Sequence, residues 1–400
     1  MNHFEDKNVN LELLKKKAYN FRWAEVPEGV IPLTAADPDY PCSPKIQQAM
    51  MEYVQEGYFS YTPKLGFDSF KEAFVKAVKI RKGEEIDPQL VLPIDSAARA
   101  MNVIARAFLK EGDEMIVFDP CDYLFREAAL SAKATPVSLP VALDRDNRRM
   151  DLSKLEEVIT PKTKMLGLCN PHNPYGLVYS EEDLEYIMSI CEKYDLLIMN
   201  DEIWSDIIYK DATFRSIYSL GNERCKRVLS VFGFSKSFGL AGLRIGCAYT
   251  TDAKKFEKLV EASEVMSTVG GATSISQVAA TAAMEEAYDW VDEFLEHLMK
   301  NRDFAVAYIN REIPQLKAYK PQGTYLLYVD VSQITTCAKA FTEFLQEDVK
   351  LALVPGGHQF FGDLSEGNIR ICIATSHEIL EEGLKRLKQG VQDYIEKGKE

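Results

Sequence analysis

One lysine stands in a sequence setting that favours covalent chemistry. Lys236 lies in the string GFSKSFGLAGLRIG at 233–246, directly after a run of apolar residues. A lysine at the end of a buried strand loses hydration, which lowers its pKa and leaves a neutral, nucleophilic amine. Arg244, eight residues later, offers a cation for a phosphate group. Ser-Lys-Ser on its own is also compatible with an ordinary glycine-rich surface turn.

Polar side chains follow two further apolar runs. Asp201 comes after the run at 196–199, and Asn173 lies in NPHNPYG at 170–176, after the run at 165–169. A buried carboxylate favours a positive charge beside it, and an amide donates hydrogen bonds. The structural alternatives are a helix cap for Asp201 and a turn for Asn173.

A third constellation is suited to an anion. Ser96 and Ala97 open a predicted helix immediately after the short run at 92–94. The first N–H groups of a helix are free, and the helix dipole favours negative charge there. An ordinary helix cap at Ser96 is the alternative interpretation.

Alternating elements are predicted to position these residues. Buried strands separated by amphipathic helices indicate an α/β fold with a mostly parallel sheet, whose ligands bind at the carboxyl ends of the strands. The predicted strands cover 92–94, 115–118, 136–139, 165–169, 196–199, 228–232 and 244–248. The predicted helices in this part cover 97–109, 181–194 and 253–265.

The pattern changes towards the end of the chain. One long helical pattern covers 274–311, and shorter elements follow it. These are a strand at 323–330, a helix at 338–346, a strand at 369–373 and a charged helix at 378–397. We expect residues 51–311 to form a large α/β domain and 312–400 a smaller α+β domain, with the N-terminal segment 1–50 packing on the smaller one.

Composition narrows the function classes. The chain has 400 residues, 46% of them hydrophobic, and a net charge of −14. This charge disfavours nucleic acid as a partner. The eight cysteines show no CxxC spacing and the five histidines no HxxxH pair, so we expect reduced thiols and no metal site. Without an apolar run of membrane-spanning length or a signal peptide, we expect a cytoplasmic protein without a membrane span.

The string at 233–246 resembles the pyridoxal-phosphate (PLP) attachment sequence of class I aminotransferases. From about residue 31 to the C-terminal helix, the chain is similar to fold-type I PLP-dependent enzymes of the class I/II aminotransferase group. It is also close to the MalY/PatB-type cystathionine β-lyases. The resemblance implies the PLP-dependent transferase fold, in which a central sheet is sandwiched by helices.

The resemblance also implies cofactor contacts. Lys236 is the residue that holds PLP as a Schiff base and then acts as general base. Asp201 pairs with the ring nitrogen of PLP, and Asn173 donates to its 3′ oxygen. The implied phosphate-binding residues are Ser96, Ala97, Ser235 and Arg244, together with Tyr61 from a neighbouring subunit, which implies a homodimer.

The substrate side of the implied site is less complete. Arg370 corresponds to the arginine that binds the substrate α-carboxylate, with Asn173 beside it, and the backbone of Ala36 forms a wall of the pocket. The aromatic residue that stacks on the cofactor ring is ambiguous. Ungapped comparison puts Asp122 at that position, whereas Tyr123 is the nearest aromatic residue.

We predict a PLP-dependent aminotransferase that moves an amino group from an L-amino acid to a 2-oxo acid. A carbon–sulfur β-lyase is the alternative, because Trp204 replaces the tyrosine common in aminotransferases and the HNP and DEIWSD strings resemble MalY/PatB enzymes. A PLP-binding regulator without turnover is less favoured, since no basic DNA-binding module accompanies the predicted fold.

Overall fold

The computed structural model describes residues 2–16, 21–144, 148–267 and 269–398. Its strands are β1 Ile31–Pro32, β2 Val91–Ile94, β3 Glu114–Asp119, β4 Thr135–Pro140, β5 Leu143–Asp144, β6 Arg149–Met150, β7 Thr163–Cys169, β8 Leu197–Asp201, β9 Val228–Gly233, β10 Gly246–Tyr249, β11 Lys317–Ala318, β12 Leu326–Asp330, β13 Leu351–Ala352, β14 Val354–Pro355 and β15 Asn368–Cys372. Its α-helices are α1 Leu11–Lys16, α2 Phe21–Ala24, α3 Pro44–Glu56, α4 Asp68–Lys82, α5 Ala97–Phe108, α6 Leu124–Ser131, α7 Glu181–Lys193, α8 Ala253–Ser263, α9 Ser274–Glu286, α10 Tyr288–Glu312, α11 Ala338–Asp348 and α12 His377–Glu396.

Seven strands between residues 91 and 249 form one sheet, in the order β2-β10-β9-β8-β7-β3-β4. Strands β4, β3, β7, β8 and β9 are parallel, and β10 runs antiparallel to both of its neighbours. Strands β2, β9 and β10 are buried at every residue. Burial of both faces explains why these strands read as continuous apolar runs. The predicted α/β class and mostly parallel sheet are confirmed.

Helix α5 shows how the sequence sets the geometry of the site. The Oγ of Ser96 accepts a hydrogen bond from the N–H of Arg99 at 3.2 Å and so caps the helix. Its apolar stripe, from Ala100 to Ala105, is buried. The cap and the stripe together fix the helix N-terminus against the sheet, directly after β2.

Two sequence-predicted elements have different boundaries. The long helix predicted at 274–311 is wrong, because Ala287 has φ −110° and ψ 12° and separates α9 from α10. No proline or glycine marks this break in the sequence. The strand predicted from residue 323 begins only at Leu326, since Thr324 has a left-handed φ of 66°.

A second sheet follows α10. It is antiparallel, with four strands in the order β11-β12-β15-β14. The N-terminal segment joins this region, because β1 pairs in parallel with β13 and the carbonyl of Leu33 accepts from the N–H of Cys372 at 2.9 Å. These contacts support the proposal that the N-terminal segment packs on the smaller domain, and the boundaries at residues 50 and 311 stay a prediction. Among the described residues, no helix is both long and apolar enough to cross a membrane.

Candidate active site

The chemically important residues follow neighbouring parallel strands. Asp201 ends β8 and lies opposite Cys169, the last residue of β7. Lys236 lies in the turn that follows Gly233, the last residue of β9. Asn173 follows the end of β7. The carboxyl ends of these strands therefore bring the three predicted residues to one edge of the sheet.

Lys236 is half-buried and points at the N-terminal segment. Its Nζ donates a hydrogen bond to the carbonyl of Ala36 at 2.7 Å and lies 5.4 Å from the ring centre of Trp204. Burial lowers the pKa of Lys236, although the charges of Asp37 and Asp122 oppose this shift. The lowered pKa increases the share of the neutral amine, which is the nucleophilic form.

Asp201 is a buried carboxylate with little polar compensation. Its side chain accepts a hydrogen bond from the N–H of Ile203 at 3.0 Å, and the residue is 8% exposed. Burial raises the pKa of Asp201 to about 7, with a further contribution from the charge of Asp122 and opposition from Lys236. A cationic partner placed beside this carboxylate would be strongly favoured.

Arg370 forms a polar chain with two residues of the loops that follow strands β7 and β3. Its guanidinium donates to the Oδ1 of Asn173 at 3.3 Å, and the Nδ2 of Asn173 donates to Asp122 at 2.7 Å. Arg370 also donates to the carbonyl of Thr34 at 3.3 Å and lies 5.1 Å from the ring of Phe361.

The guanidinium of Arg370 is not fully satisfied. Its Nε is buried without a hydrogen-bond partner among the described residues. Burial lowers the pKa of Arg370, and the charge of Asp122 opposes that shift. A buried arginine with a free donor is suited to a carboxylate ligand, which it can hold through two hydrogen bonds.

The helix N-terminus predicted to bind an anion lies against β10. A Cβ at Gly246 would lie 2.8 Å from the backbone nitrogen of Ala97, so the glycine permits close contact between strand and helix. The hydroxyl of Ser96 already caps α5, and this use competes with its predicted role as a phosphate donor. Arg244 is exposed, two residues before Gly246, and Ser235 is half-buried.

The structure distinguishes Asp122 from Tyr123. The carboxylate of Asp122 contacts Asn173, whereas the side chain of Tyr123 is 42% exposed. The backbone N–H of Tyr123 donates to the carbonyl of Phe360 at 3.1 Å. Asp122 therefore joins the polar chain, and ring stacking by Tyr123 stays a prediction.

Two other predicted residues have contrasting places. The carbonyl of Ala36 accepts from both Lys236 and the hydroxyl of Tyr325, the latter at 3.2 Å, so this segment lies within the cluster. Tyr61 is 93% exposed and outside the cluster of its own chain. The sequence analysis gave no role to Asp37, the residue after Ala36, although its charge acts on Lys236 and an acidic residue beside a predicted substrate segment is a usable signal.

The residues present fit the groups of PLP. A lysine with a lowered pKa suits an aldehyde, a buried carboxylate suits a protonated ring nitrogen, and the start of α5 suits a phosphate. The close approach at Gly246, which no larger residue would allow, forms the wall beside the N–H group of Ala97. The described residues contain no cluster suited to a metal ion.

Comparisons with known proteins agree with this fit. The chain is 28% identical to aromatic-amino-acid aminotransferase 2 of Thermococcus litoralis over 93% of this chain and 94% of that protein. The structure of an aromatic aminotransferase from Pyrococcus horikoshii OT3 matches with a TM-score of 0.85 and 28% identity, covering 92% of this chain and 97% of that one.

A PLP-bound C–S lyase from Staphylococcus hominis has a TM-score of 0.87 at 20% identity, covering 98% of each chain, and so shows the fold alone. The family model described as aminotransferase class I and II matches residues 28–387, which is most of the chain. The strand-end cluster and this match lead to the same conclusion: the chain belongs to the class I and II aminotransferase family and is a PLP-dependent aminotransferase.

Proposed function

We propose that this aminotransferase moves the amino group of an L-amino acid to a 2-oxo acid, with Lys236 as both the cofactor-binding residue and the general base. The observation that carries the proposal is the hydrogen bond of 2.7 Å from Lys236 Nζ to Ala36, within a cluster that also contains Asp201 and Arg370. Bound PLP supplies an electron sink for the electrons left on the substrate Cα when a bond to it breaks.

Lys236 has two tasks in this proposal. Its neutral Nζ would hold the cofactor through its aldehyde, and the same nitrogen, when free, would take the proton from the substrate Cα. Burial supports both tasks, because it lowers the pKa of Lys236 and so increases the population of the free base. The hydrogen bond of 2.7 Å to the carbonyl of Ala36 fixes the position of this amine in the cluster.

Arg370 and Asn173 orient the substrate. The free Nε of Arg370 and its two terminal nitrogens can hold an α-carboxylate, and the amide of Asn173 lies 3.3 Å from the guanidinium. Holding the carboxylate fixes rotation about Cα and thereby selects which bond is broken. Asp122 restrains Asn173 from the opposite side through the bond of 2.7 Å.

Asp201 holds a proton on the cofactor ring nitrogen. Burial raises its pKa to about 7, although the charge of Lys236 opposes this shift. A protonated ring nitrogen beside Asp201 removes that penalty, and the two groups stabilise each other. The amides at the start of α5, with Ser96, Ala97, Ser235 and Arg244, bind the phosphate in this proposal.

We infer a cytoplasmic homodimer with shared active sites. Tyr61 is 93% exposed, and Met51, which is 52% exposed, lines a groove that also includes Asp37. The apolar residues that line this groove are Met50, Met51, Val54, Leu240, Leu243 and Ile275. An exposed apolar surface of this kind favours a protein partner, and a second copy would bring its Tyr61 to the phosphate of this chain.

The test begins with borohydride reduction of the PLP-loaded protein and peptide mapping. A pyridoxyl group on Lys236 supports the proposal, and its absence there contradicts it. The Lys236→Ala variant should lose transamination by at least about 100-fold, since general-base catalysis typically contributes that much. The matched control is Lys164→Ala, an exposed lysine at the opposite end of the sheet, which should keep its activity.

The reaction type needs a separate assay. A panel of L-amino acids with 2-oxo acceptors should yield new 2-oxo acids and new amino acids in equal amounts. Cystathionine without an acceptor tests the β-lyase alternative. Release of pyruvate and thiol at a higher rate than transamination would replace the proposed reaction with carbon–sulfur cleavage.

A further inference from the structure

A cluster of buried charges lies behind Asp201. Lys82 ends helix α4, Glu84 follows two residues later, and Glu202 is the residue after Asp201. The side chains of Lys82 and Glu202 are 2% and 0% exposed, and that of Glu84 is 0% exposed. Buried charges are costly unless they are paired and hydrogen-bonded, so the cluster must be compensated internally.

The compensation is a closed ring of contacts. Lys82 Nζ lies 2.7 Å from Glu202 Oε2 and 2.9 Å from Glu84 Oε1. It also donates to the hydroxyl of Tyr249 at 3.3 Å, and that hydroxyl donates to Glu84 Oε2 at 3.1 Å. One ammonium and one phenol thus hold two carboxylates in fixed orientations.

The second oxygen of Glu202 ties the cluster to the sheet. Oε1 accepts from Asn200 Nδ2 at 3.0 Å and from the hydroxyl of Ser216 at 2.9 Å. Asn200 Nδ2 also donates to the hydroxyl of Ser230, on β9, at 3.0 Å. Asn200 and Glu202 flank Asp201, and successive side chains of an extended strand point to opposite faces. The network therefore holds the chain on both sides of Asp201 without touching the carboxylate itself.

The network also keeps a negative charge on Glu202, next to Asp201. Burial opposes ionisation of Glu202, but the Lys82 ammonium and the hydrogen bonds outweigh it and keep the pKa of Glu202 below its ordinary value. Burial raises the pKa of Glu84 to about 7. The negative charge held on Glu202 is one of the charges that raise the pKa of Asp201.

Other groups face Asp201 from neighbouring elements. Burial is the main cause of its raised pKa, Asp122 raises it from the loop before α6, and Lys236 lowers it from the turn after β9. Glu202 differs from these groups because it does not face the substrate side of the strand. Its influence on Asp201 can therefore be changed without altering the residues that contact cofactor or substrate.

We propose that Lys82, Glu84 and Glu202 are positioning residues for Asp201, which fix the end of β8 and the charge beside it so that Asp201 keeps a proton on the cofactor ring nitrogen. The inference rests on the proposed role of Asp201. Without Lys82, two buried carboxylates lose their cation, and Glu202 must take up a proton or turn away from Asn200. Either change loosens the hold on the strand end.

The experiment compares Lys82→Met and Lys82→Arg with the control Lys79→Met. Lys79 lies on the same helix, pairs with Glu85 at 3.0 Å and has a 65% exposed side chain. Two readouts are independent of turnover: the dissociation constant for PLP, from the absorbance of the bound cofactor, and the ¹⁵N chemical shift of the ring nitrogen in labelled PLP.

Lys82→Met should weaken PLP binding by roughly 10-fold, as outer partners of ligating groups do in metal sites, and should shift the ring nitrogen towards its unprotonated value. Lys82→Arg should restore both readouts, and Lys79→Met should change neither. A folded Lys82→Met protein with unchanged affinity and unchanged ¹⁵N shift would overturn the inference.

Two further variants keep the test decisive. If Lys82→Met does not fold, Tyr249→Phe removes one hydroxyl from the ring of contacts and should shift both readouts in the same direction by less. Asp201→Asn, measured in parallel, distinguishes the proposed role of Asp201 from the positioning role of the cluster. Unchanged readouts in Asp201→Asn contradict the proposed role of Asp201, whereas a loss there with none in the cluster variants contradicts only the positioning network.

Discussion

At the scale of single residues, the site contains groups whose burial works against their charge. Asp201 is the clearest case. Its burial favours a cationic partner, but in the cofactor-free protein the same burial destabilises the ionised carboxylate. Its pKa rises from an ordinary 3.8 to about 7. The folded chain therefore keeps a proton that the unfolded chain has lost between these pH values, and stability falls as the pH rises through this window.

Replacing Asp201 by asparagine should remove the loss of stability that ionisation of this buried carboxyl causes. We expect cofactor-free Asp201→Asn to gain up to about 4 kcal/mol in free energy of unfolding, relative to wild type, between pH 4 and pH 8. Urea unfolding at several pH values measures the difference, and Asp195→Asn, an exposed aspartate with a 99% exposed side chain, serves as control. Equal pH dependence in wild type and Asp201→Asn would contradict the prediction.

The burial of His172 leads to a second prediction, in which stability changes with pH in the opposite direction. The residue is fully buried, and burial lowers its pKa to about 3, although a backbone hydrogen bond with Pro120 opposes this shift. The unfolded chain binds a proton below about pH 6.5 that the folded chain refuses, so stability falls as the pH drops from 6.5 towards 3.

We therefore expect His172→Leu to lose about 2 kcal/mol less stability than wild type between pH 7 and pH 5. The ring contacts Tyr175 at a centroid distance of 5.2 Å, and leucine can fill part of that space. The same unfolding assay applies, with His358→Leu as control because His358 is on the surface, where its side chain is 69% exposed. If wild type and His172→Leu lose the same stability between pH 7 and pH 5, His172 does not cause this pH dependence.

At the scale of elements, the contact between β10 and the start of α5 controls the predicted phosphate site. Gly246→Ala places a methyl group 2.8 Å from the nitrogen of Ala97, so strand and helix must separate. We expect a loss of about 1–3 kcal/mol in stability and weaker PLP binding. Gly242→Ala is the matched control, since a Cβ there meets nothing within 4 Å. If both variants bind PLP equally, the close contact is not needed for the site.

The strand-end residues could be predicted because local sequence determines them. Lys236, Asp201 and Asn173 each follow a short apolar run, and parallel strands align their carboxyl ends. The helix break at Ala287 could not be predicted, because that residue is a good helix former and the change of direction depends on tertiary packing.

Contacts between distant segments were also beyond sequence reasoning. The partner of Lys236 is a backbone carbonyl 200 positions away, and the hydrogen bond between Asp122 and Asn173 joins two loops. The network around Lys82 is hidden for a different reason. Lysine and glutamate at a helix end normally indicate a solvent-exposed position, and only the folded chain shows that these side chains are buried.

At the scale of the whole molecule, the exposed apolar face predicts the oligomeric state. Val54 is 47% exposed beside the groove, and Val54→Arg should convert the protein to a monomer with reduced PLP affinity. Sedimentation equilibrium measures the mass, and Ile395→Arg, an apolar residue on α12 that is 46% exposed, is the control. Wild-type protein that sediments as a single chain would contradict the proposed dimer.

The pairing of β1 with β13 has a consequence for synthesis on the ribosome. Ile31 pairs with Leu351, 320 positions later, so the early segment has no strand partner until most of the chain has been translated. At typical elongation rates this delay lasts roughly 15–60 s. Ala36 belongs to that waiting segment and supplies the carbonyl for Lys236. The nascent polypeptide should therefore acquire its vitamin-derived group only near the end of translation, after the sheet that carries Lys236 has already folded.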